Sequence, residues 1–291
     1  MKQRFTLEAA GQDFSGKLAQ PDGGQAGLPV LLAIHGGTYD CDYFDIPGHS
    51  LLDRAVAWGF HVVAIDRPGY GNSTPLPDAP DLIQKNAEAL NAALPDLLAA
   101  LGLAGRPVCL IGHSIGGAVA LTLAALCEGW PLAGVAVSGV GAETPSESAE
   151  AYAQMPRQYF VELPGPVKDQ VMFGPEGSYP PDMPAASHAA HRPVPLSELT
   201  DITGGWQDRL AGIAARIRVP VHYRQGEHER LWLVSAARVE DFARLFTASP
   251  QVDAELVPGA GHCIDYHLAG PAFQDEQLDF AALLESAEAQ P

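Results

Sequence analysis

The sequence predicts an α/β fold: a mostly parallel central sheet of about eight strands, flanked by helices and interrupted by an inserted lid. Three observations carry this expectation. Short apolar runs alternate along the chain with longer helical stretches, the pattern of strands buried on both faces and joined by crossover helices. One run leads into Gly112-His113-Ser114-Ile115-Gly116, a G-x-S-x-G sequence followed at once by the stretch 117–126, apolar but for Thr122, which reads as a buried helix. The alternation fails between residues 142 and 205, where ten of the 25 prolines fall, and then resumes.

Taken in order, residues 5–7 and 14–19 read as two short strands joined around Gly11, an antiparallel edge that ends in the turn Pro21-Asp22-Gly23-Gly24. Residues 30–34 and 61–65 are buried parallel strands with a helix over about 47–58 between them. A long helix follows over 81–101, with Pro95 expected to bend it. Next come a strand from Val108, the elbow at Ser114, its helix, and a strand over 133–138. Beyond the irregular segment lie a helix at 206–217, a strand at 221–225, a helix at 235–246, a strand at 252–257 and a final helix from about 271 to 284. The expected organisation is a core of 1–141 and 206–291 with a lid or cap at 142–205. That segment holds Met155, Met172, Met183 and several aromatics, which suits a mobile cover over an apolar pocket.

Of the 291 residues 47% are hydrophobic and 18% charged, ordinary globular composition with ample chain for one large core. A net charge of −18 speaks against nucleic acid and anionic membrane, since a phosphate backbone needs a basic face to displace its counterions. No stretch approaches the roughly 18 apolar residues of a membrane span, and the start Met1-Lys2-Gln3-Arg4 opens no secretory signal, so a cytoplasmic location is expected. Cys41, Cys109, Cys127 and Cys263 show no metal-ligand spacing and no disulfide framework. No metal or other cofactor is expected.

In a G-x-S-x-G elbow the serine sits in a strained strand-to-helix turn, its oxygen clear of the sheet, while the glycines allow strand and helix to pack closely. Ser114 is therefore the candidate nucleophile. A serine hydroxyl is a weak nucleophile at neutral pH and needs an imidazole within hydrogen-bond reach.

With these residues in view the chain resembles the α/β-hydrolase superfamily over nearly its whole length. His35-Gly36-Gly37 after the third strand, Asp66-Arg67-Pro68-Gly69-Tyr70-Gly71-Asn72-Ser73 after the fourth, the Ser114 elbow after the fifth and Gly259-Ala260-Gly261-His262 after the last match its landmarks in order. The resemblance implies a triad running nucleophile, acid, histidine along the chain. It implies His262 as the base, in the glycine-rich loop after the last strand. Similar proteins carry Asp in a Gly-x-x-Asp turn after the penultimate strand; here the turn reads Gly226-Glu227-His228-Glu229, which puts Glu229 in the matching place. Glu227 and Glu143 compete for the role. The backbone N–H groups of Gly37 and Ile115 are the implied oxyanion donors, with residues 66–73 buttressing that loop. His113 is expected to pack and His35 to shape the oxyanion loop, while His267 either lines the pocket mouth or starts a helix.

The expected function is a serine hydrolase that cleaves a carboxylic ester through an acyl-enzyme on Ser114. Its substrate is a small molecule with an apolar acyl group, contacted by Met155, Tyr159, Phe160, Met172 and Phe173 of the lid. A serine at the elbow argues against the dehalogenase and epoxide hydrolase variants of this fold, which use aspartate. Thioester, lactone, amide and carbon–carbon bond cleavage remain open on the same triad, as do a non-hydrolytic lyase and a binding protein with a silent triad.

Overall fold

The computed structural model describes residues 1–23 and 27–288, the side chains of 285–288 excepted. Its centre is an eight-stranded sheet. The hairpin β1 (Lys2–Ala9) and β2 (Gln12–Ala19) turns at Ala10 and Gly11, φ 50 and 77. Two consecutive positive-φ residues are what a tight hairpin matched to strand twist requires. There follow β3 (Val30–Ile34), α1 (Leu51–Ala57), β4 (Val62–Ile65), α2 (Leu82–Ala100), β5 (Val108–His113), α3 (Ile115–Leu126) and β6 (Leu132–Ser138). The 142–205 segment contributes α4 (Ser146–Ala153), β7 (Phe160–Val161), α5 (Gly165–Met172), α6 (Met183–Ser187), β8 (Val194–Pro195) and α7 (Leu196–Ile202). The chain ends through α8 (Gly205–Ala214), β9 (Val221–Gly226), α9 (Ala236–Ala243), β10 (Val252–Val257) and α10 (Gly270–Glu288).

Strand order is β1-β2-β4-β3-β5-β6-β9-β10. The β1–β2 and β2–β4 pairings are antiparallel and all others in the sheet are parallel. Strands β3 and β4 are apolar at every position because helices cover both faces. In β3, Val30, Leu32 and Ile34 join one core while Leu31 and Ala33 join the other; in β5, Val108 and Leu110 part from Cys109 and Ile111 in the same way. Each fully buried aliphatic contributes roughly 1.5–3 kcal/mol. Helix α2 packs through Ile83, Ala87, Leu90, Leu94 and Leu97, a 3.6-residue stripe that runs past Pro95 without a break. Among the described residues no helix is long and apolar enough to cross a membrane.

The 142–205 segment is more ordered than its sequence period suggests. Pro145, Pro164 and Pro195 stand in extended conformation immediately before α4, α5 and α7, so the residues that erase the period also start the helices. Buried polar contacts, not only apolar ones, tie the segment to the core. Arg67 Nη1 and Nη2 donate to Glu198 Oε1 and Oε2 at 2.5 and 3.0 Å, with Tyr70 Oη donating to Oε2 at 2.8 Å, and both charged side chains are fully enclosed. Asp201 accepts from Ile83 N–H at 3.0 Å and pairs with Arg209 at 2.6 Å. Lys168 of α5 is buried; its Nζ donates to the Thr38 carbonyl at 3.0 Å and lies 3.4 Å from the centroid of the Tyr39 ring.

Candidate active site

Ser114 stands between the last residue of β5 and the first of α3 at φ 55, ψ −126. A non-glycine residue in this region costs of order 1–3 kcal/mol and persists only where its surroundings fix it. Here the Ser114 N–H donates to Ser138 O at 2.8 Å, and the Ser114 carbonyl accepts from Gly117 and Ala118 N–H at 2.8 and 3.1 Å. Gly116 allows the turn: a Cβ there would run into the carbonyl oxygens of Ile34 and His35, and α3 could not approach β3.

The loop after β9 carries Glu229, and the loop after β10 carries His262. Glu229 Oε1 accepts from the N–H groups of Arg230 and Leu231 at 2.8 and 2.7 Å, which fixes the carboxylate. Its Oε2 lies 2.7 Å from His262 Nδ1, with both side chains closed to solvent. An Nδ1–H donating to that carboxylate leaves the Nε2 lone pair free, and His262 Nε2 is buried with no partner among the described residues. The ring of His113, the residue before Ser114, lies 4.8 Å from the His262 ring and brings the base to the elbow. The two competing carboxylates lie elsewhere. Glu227 is exposed and accepts from Gly259 N–H at 2.9 Å, while Glu143 is exposed and pairs with Arg238 at 2.6 Å.

Gly37 lies against Ile115, whose Cδ1 occupies the space a Gly37 Cβ would need. The Ile115 N–H, at the first position of α3, has no intrahelical acceptor. Arg67 braces this loop from behind, Nε donating to His35 O at 2.8 Å and Nη2 to Gly36 O at 3.2 Å. His35 Nδ1 donates to Gly36 O at 2.8 Å and Nε2 accepts from Arg67 N–H at 3.1 Å. Burial, then the neighbouring guanidinium, holds its pKa well below the usual imidazole range. His113 stacks on Tyr43 at 4.5 Å and is likewise kept neutral by burial, then by His262. His267 neither lines the mouth nor starts a helix: its Nδ1 donates to Cys263 O at 2.8 Å, and its Nε2 accepts from both Gly174 and Gly261 N–H at 2.9 Å.

A cavity of about 570 Å³, open mouth included, has Gly37, Thr38, Ser114 and Ile115 on one side. Opposite stand Tyr152, Leu163, Met172, Leu199 and Ile202 of the 142–205 segment, with Leu231 and Trp232 completing the wall. Of the five side chains expected to contact substrate, Met172 alone is in this lining. Met155 and Tyr159 border an outer depression near Asp78, and Tyr159 Oη donates to Leu76 O at 2.6 Å. Phe160 is partly exposed over Gly69, and Phe173, next to Met172, faces the other way against Tyr179 and Tyr266. Thr38 and Trp232 were not foreseen. Trp232 had a signal, three residues beyond Glu229 on the same loop; its Nε1 donates to Gly139 O at 2.8 Å. Among the described residues no group of three or more His, Cys, Asp and Glu is placed to hold a metal ion.

The family model described as the Alpha/beta hydrolase family matches residues 30–273. The sn-1-specific diacylglycerol lipase ABHD11 of Mus musculus is 34% identical over 101 residues, 35% of this chain and 29% of that protein. The 2-succinyl-6-hydroxy-2,4-cyclohexadiene-1-carboxylate synthase of Escherichia fergusonii is 29% identical over 140 residues, 45% of this chain and 47% of that protein. The matches thus span less than half the length of either relative. Among solved structures, a thermophilic esterase from Thermogutta terrifontis superposes with TM-score 0.68 at 20% identity, covering 97% of this chain and 99% of that one. A monoglyceride lipase variant from Saccharomyces cerevisiae gives 0.70 at 16% identity, over 98% and 95% of the two chains. At such identities the likeness is one of fold.

Proposed function

The chain belongs to the Alpha/beta hydrolase family, and we propose that it is a serine hydrolase cleaving carboxylic esters of small molecules through an acyl-enzyme on Ser114. What supports this reading is the strained Ser114 backbone at the wall of an apolar cavity, together with a buried Glu229–His262 pair whose imidazole lies 4.8 Å, ring to ring, from His113, the residue before Ser114. His262 Nε2 takes the Ser114 proton as Oγ attacks the carbonyl carbon, and Glu229 holds the imidazole tautomer and balances the imidazolium. The N–H groups of Gly37 and Ile115 receive the negative charge that develops on the carbonyl oxygen. His262 then protonates the leaving alcohol, and water resolves the acyl-enzyme by the same steps in reverse.

The 142–205 segment acts as a cap that supplies most of the apolar wall, Met172 included, so the acyl group is the part bound there. An apolar acyl group suits this lining better than an acidic substrate does. Among the described residues the cavity lining has no lysine or arginine, so a substrate with carboxylates finds no ion-pair partner there.

The test is intact mass after treatment with a fluorophosphonate, followed by mapping of the modified peptide. A single adduct on Ser114, together with hydrolysis of p-nitrophenyl butyrate that the adduct abolishes, is the expected result. Full activity in a protein that has been labelled elsewhere, or not at all, overturns the assignment.

A further inference from the structure

Thr38 follows Gly37 in the oxyanion loop, and the reaction described above makes no use of its side chain. Three features set it apart. Its backbone lies at φ 62, a left-handed conformation that a β-branched residue adopts only when held there. Its carbonyl accepts two hydrogen bonds from the 142–205 segment, from Lys168 Nζ and from Arg192 N–H, each at 3.0 Å. Its side chain is 2% exposed, and Oγ1 has no hydrogen-bond partner among the described residues, although Thr38 lines the same cavity as Ser114.

A buried hydroxyl without a partner is a cost to folding that valine, of the same shape, would avoid. The double anchor on the carbonyl fixes the Thr38 backbone and leaves no role for the carbonyl in receiving substrate. Gly37 N–H, its neighbour in the chain, and Ile115 N–H, on the same side of the cavity, are both assigned to one developing charge. We propose that the Thr38 hydroxyl is a third donor to the oxyanion formed on attack by Ser114, a catalytic residue supplied by a side chain where Gly37 and Ile115 use backbone. The proposal rests on the reading of Ser114 given above.

In the step itself, Ser114 Oγ forms a bond to the carbonyl carbon and its proton passes to His262. The carbonyl π pair moves onto oxygen, and Thr38 Oγ1–H donates to that oxygen without giving up its proton. When the intermediate collapses, the pair returns, the bond to the leaving alkoxide breaks, and the hydroxyl is idle again. A donor that meets charge only in the transition state raises kcat and leaves KM nearly unchanged.

The test compares Thr38→Val and Thr38→Ser with wild type on p-nitrophenyl butyrate, with urea unfolding of each and the affinity of a trifluoromethyl ketone whose serine adduct carries the same oxyanion. Thr38→Val is expected to lower kcat about a hundredfold at similar KM, and to weaken the ketone in proportion. Thr38→Ser, which keeps the hydroxyl, recovers most of that loss. Unchanged kcat in a folded Thr38→Val protein overturns the proposal while leaving the Ser114 reading intact. Equal losses in both variants also overturn it, since a side chain that keeps the hydroxyl would then serve no better than one that lacks it. A wild type that neither takes the fluorophosphonate on Ser114 nor hydrolyses the ester sinks both readings together.

Discussion

Glu229 Oε2 and His262 Nδ1 are 2.7 Å apart in a place no solvent reaches, while the other oxygen of the carboxylate is held by two backbone N–H groups. The imidazole therefore has one permitted orientation and one favoured tautomer. Glu229→Gln should lower kcat by about 10³–10⁴ with little change in KM, because the amide keeps the size and loses the charge that balances the imidazolium. Glu227→Gln and Glu143→Gln, at exposed positions on other partners, should stay within about threefold, as surface changes do. Steady-state kinetics on one ester decides it, and a crippled Glu143→Gln enzyme would move the acid to the end of β6.

Ser114→Ala and His262→Ala are each expected to cost several orders of magnitude in kcat, and the double variant no more than the worse single one. The two side chains act as one proton-transfer unit, so their losses do not add. A double variant far slower than both, measured above background hydrolysis, would separate their roles.

The core of the fold and the elbow were legible because they rest on local rules. Val30 to Ile34 and Val108 to Ile111 are apolar at every position since both faces are covered, and Gly112 and Gly116 mark a close approach of chain to chain. Glu229 was legible only as one of three acids, because a carboxylate in a loop looks the same in sequence whether it meets His262 or water. The cap was hardest to read. Its helices run five to eight residues, too short for a hydrophobic stripe to declare a face, and neighbours such as Met172 and Phe173 diverge to different surroundings. Thr38 gave no sign at all, since nothing in His-Gly-Gly-Thr announces a positive φ or an idle hydroxyl.

The apolar wall opposite Ser114 should make the enzyme favour longer acyl groups. Each methylene moved from water into the cavity contributes about 0.8 kcal/mol, so kcat/KM should rise about fourfold per carbon until the space is filled. A series of p-nitrophenyl esters from acetate to octanoate measures this. Met172→Ser should flatten the rise and Met155→Ser should not, because Met172 lines the cavity and Met155 lies outside it. An optimum at acetate that Met172→Ser leaves unchanged would rule out acyl binding there.

Breaking the Arg67–Glu198 pair strands a charge inside the protein. Arg67→Met or Glu198→Gln alone should cost about 3–5 kcal/mol in urea unfolding, whereas the double variant should recover part of that loss. Strictly additive costs would show that the two side chains stabilise the protein independently.

Burial lowers the pKa of Lys168 to about 7 from 10.5. Between these values the unfolded chain binds the proton and the folded protein does not, so stability rises with pH across the window and the penalty is complete below it. Relative to Lys168→Met, wild type should gain at most about 1.4 kcal/mol per pH unit between pH 7 and 9.5. Parallel urea midpoints for the two proteins at both pH values would refute this.

The bonds that tie the 142–205 segment to the rest of the chain make it a poor candidate for exchange. Excising it, or grafting in the corresponding piece of a relative, removes Glu198 from Arg67, the Lys168 amino group from the Thr38 carbonyl and the Gly174 N–H from His267. Two of those three losses fall on the oxyanion loop or on the side chain that braces it, and the third on the loop bearing His262. On the proposed reading specificity and catalytic power are therefore not separable parts, and a chimera built at the two ends of the segment is expected to lose turnover before it acquires a new preference.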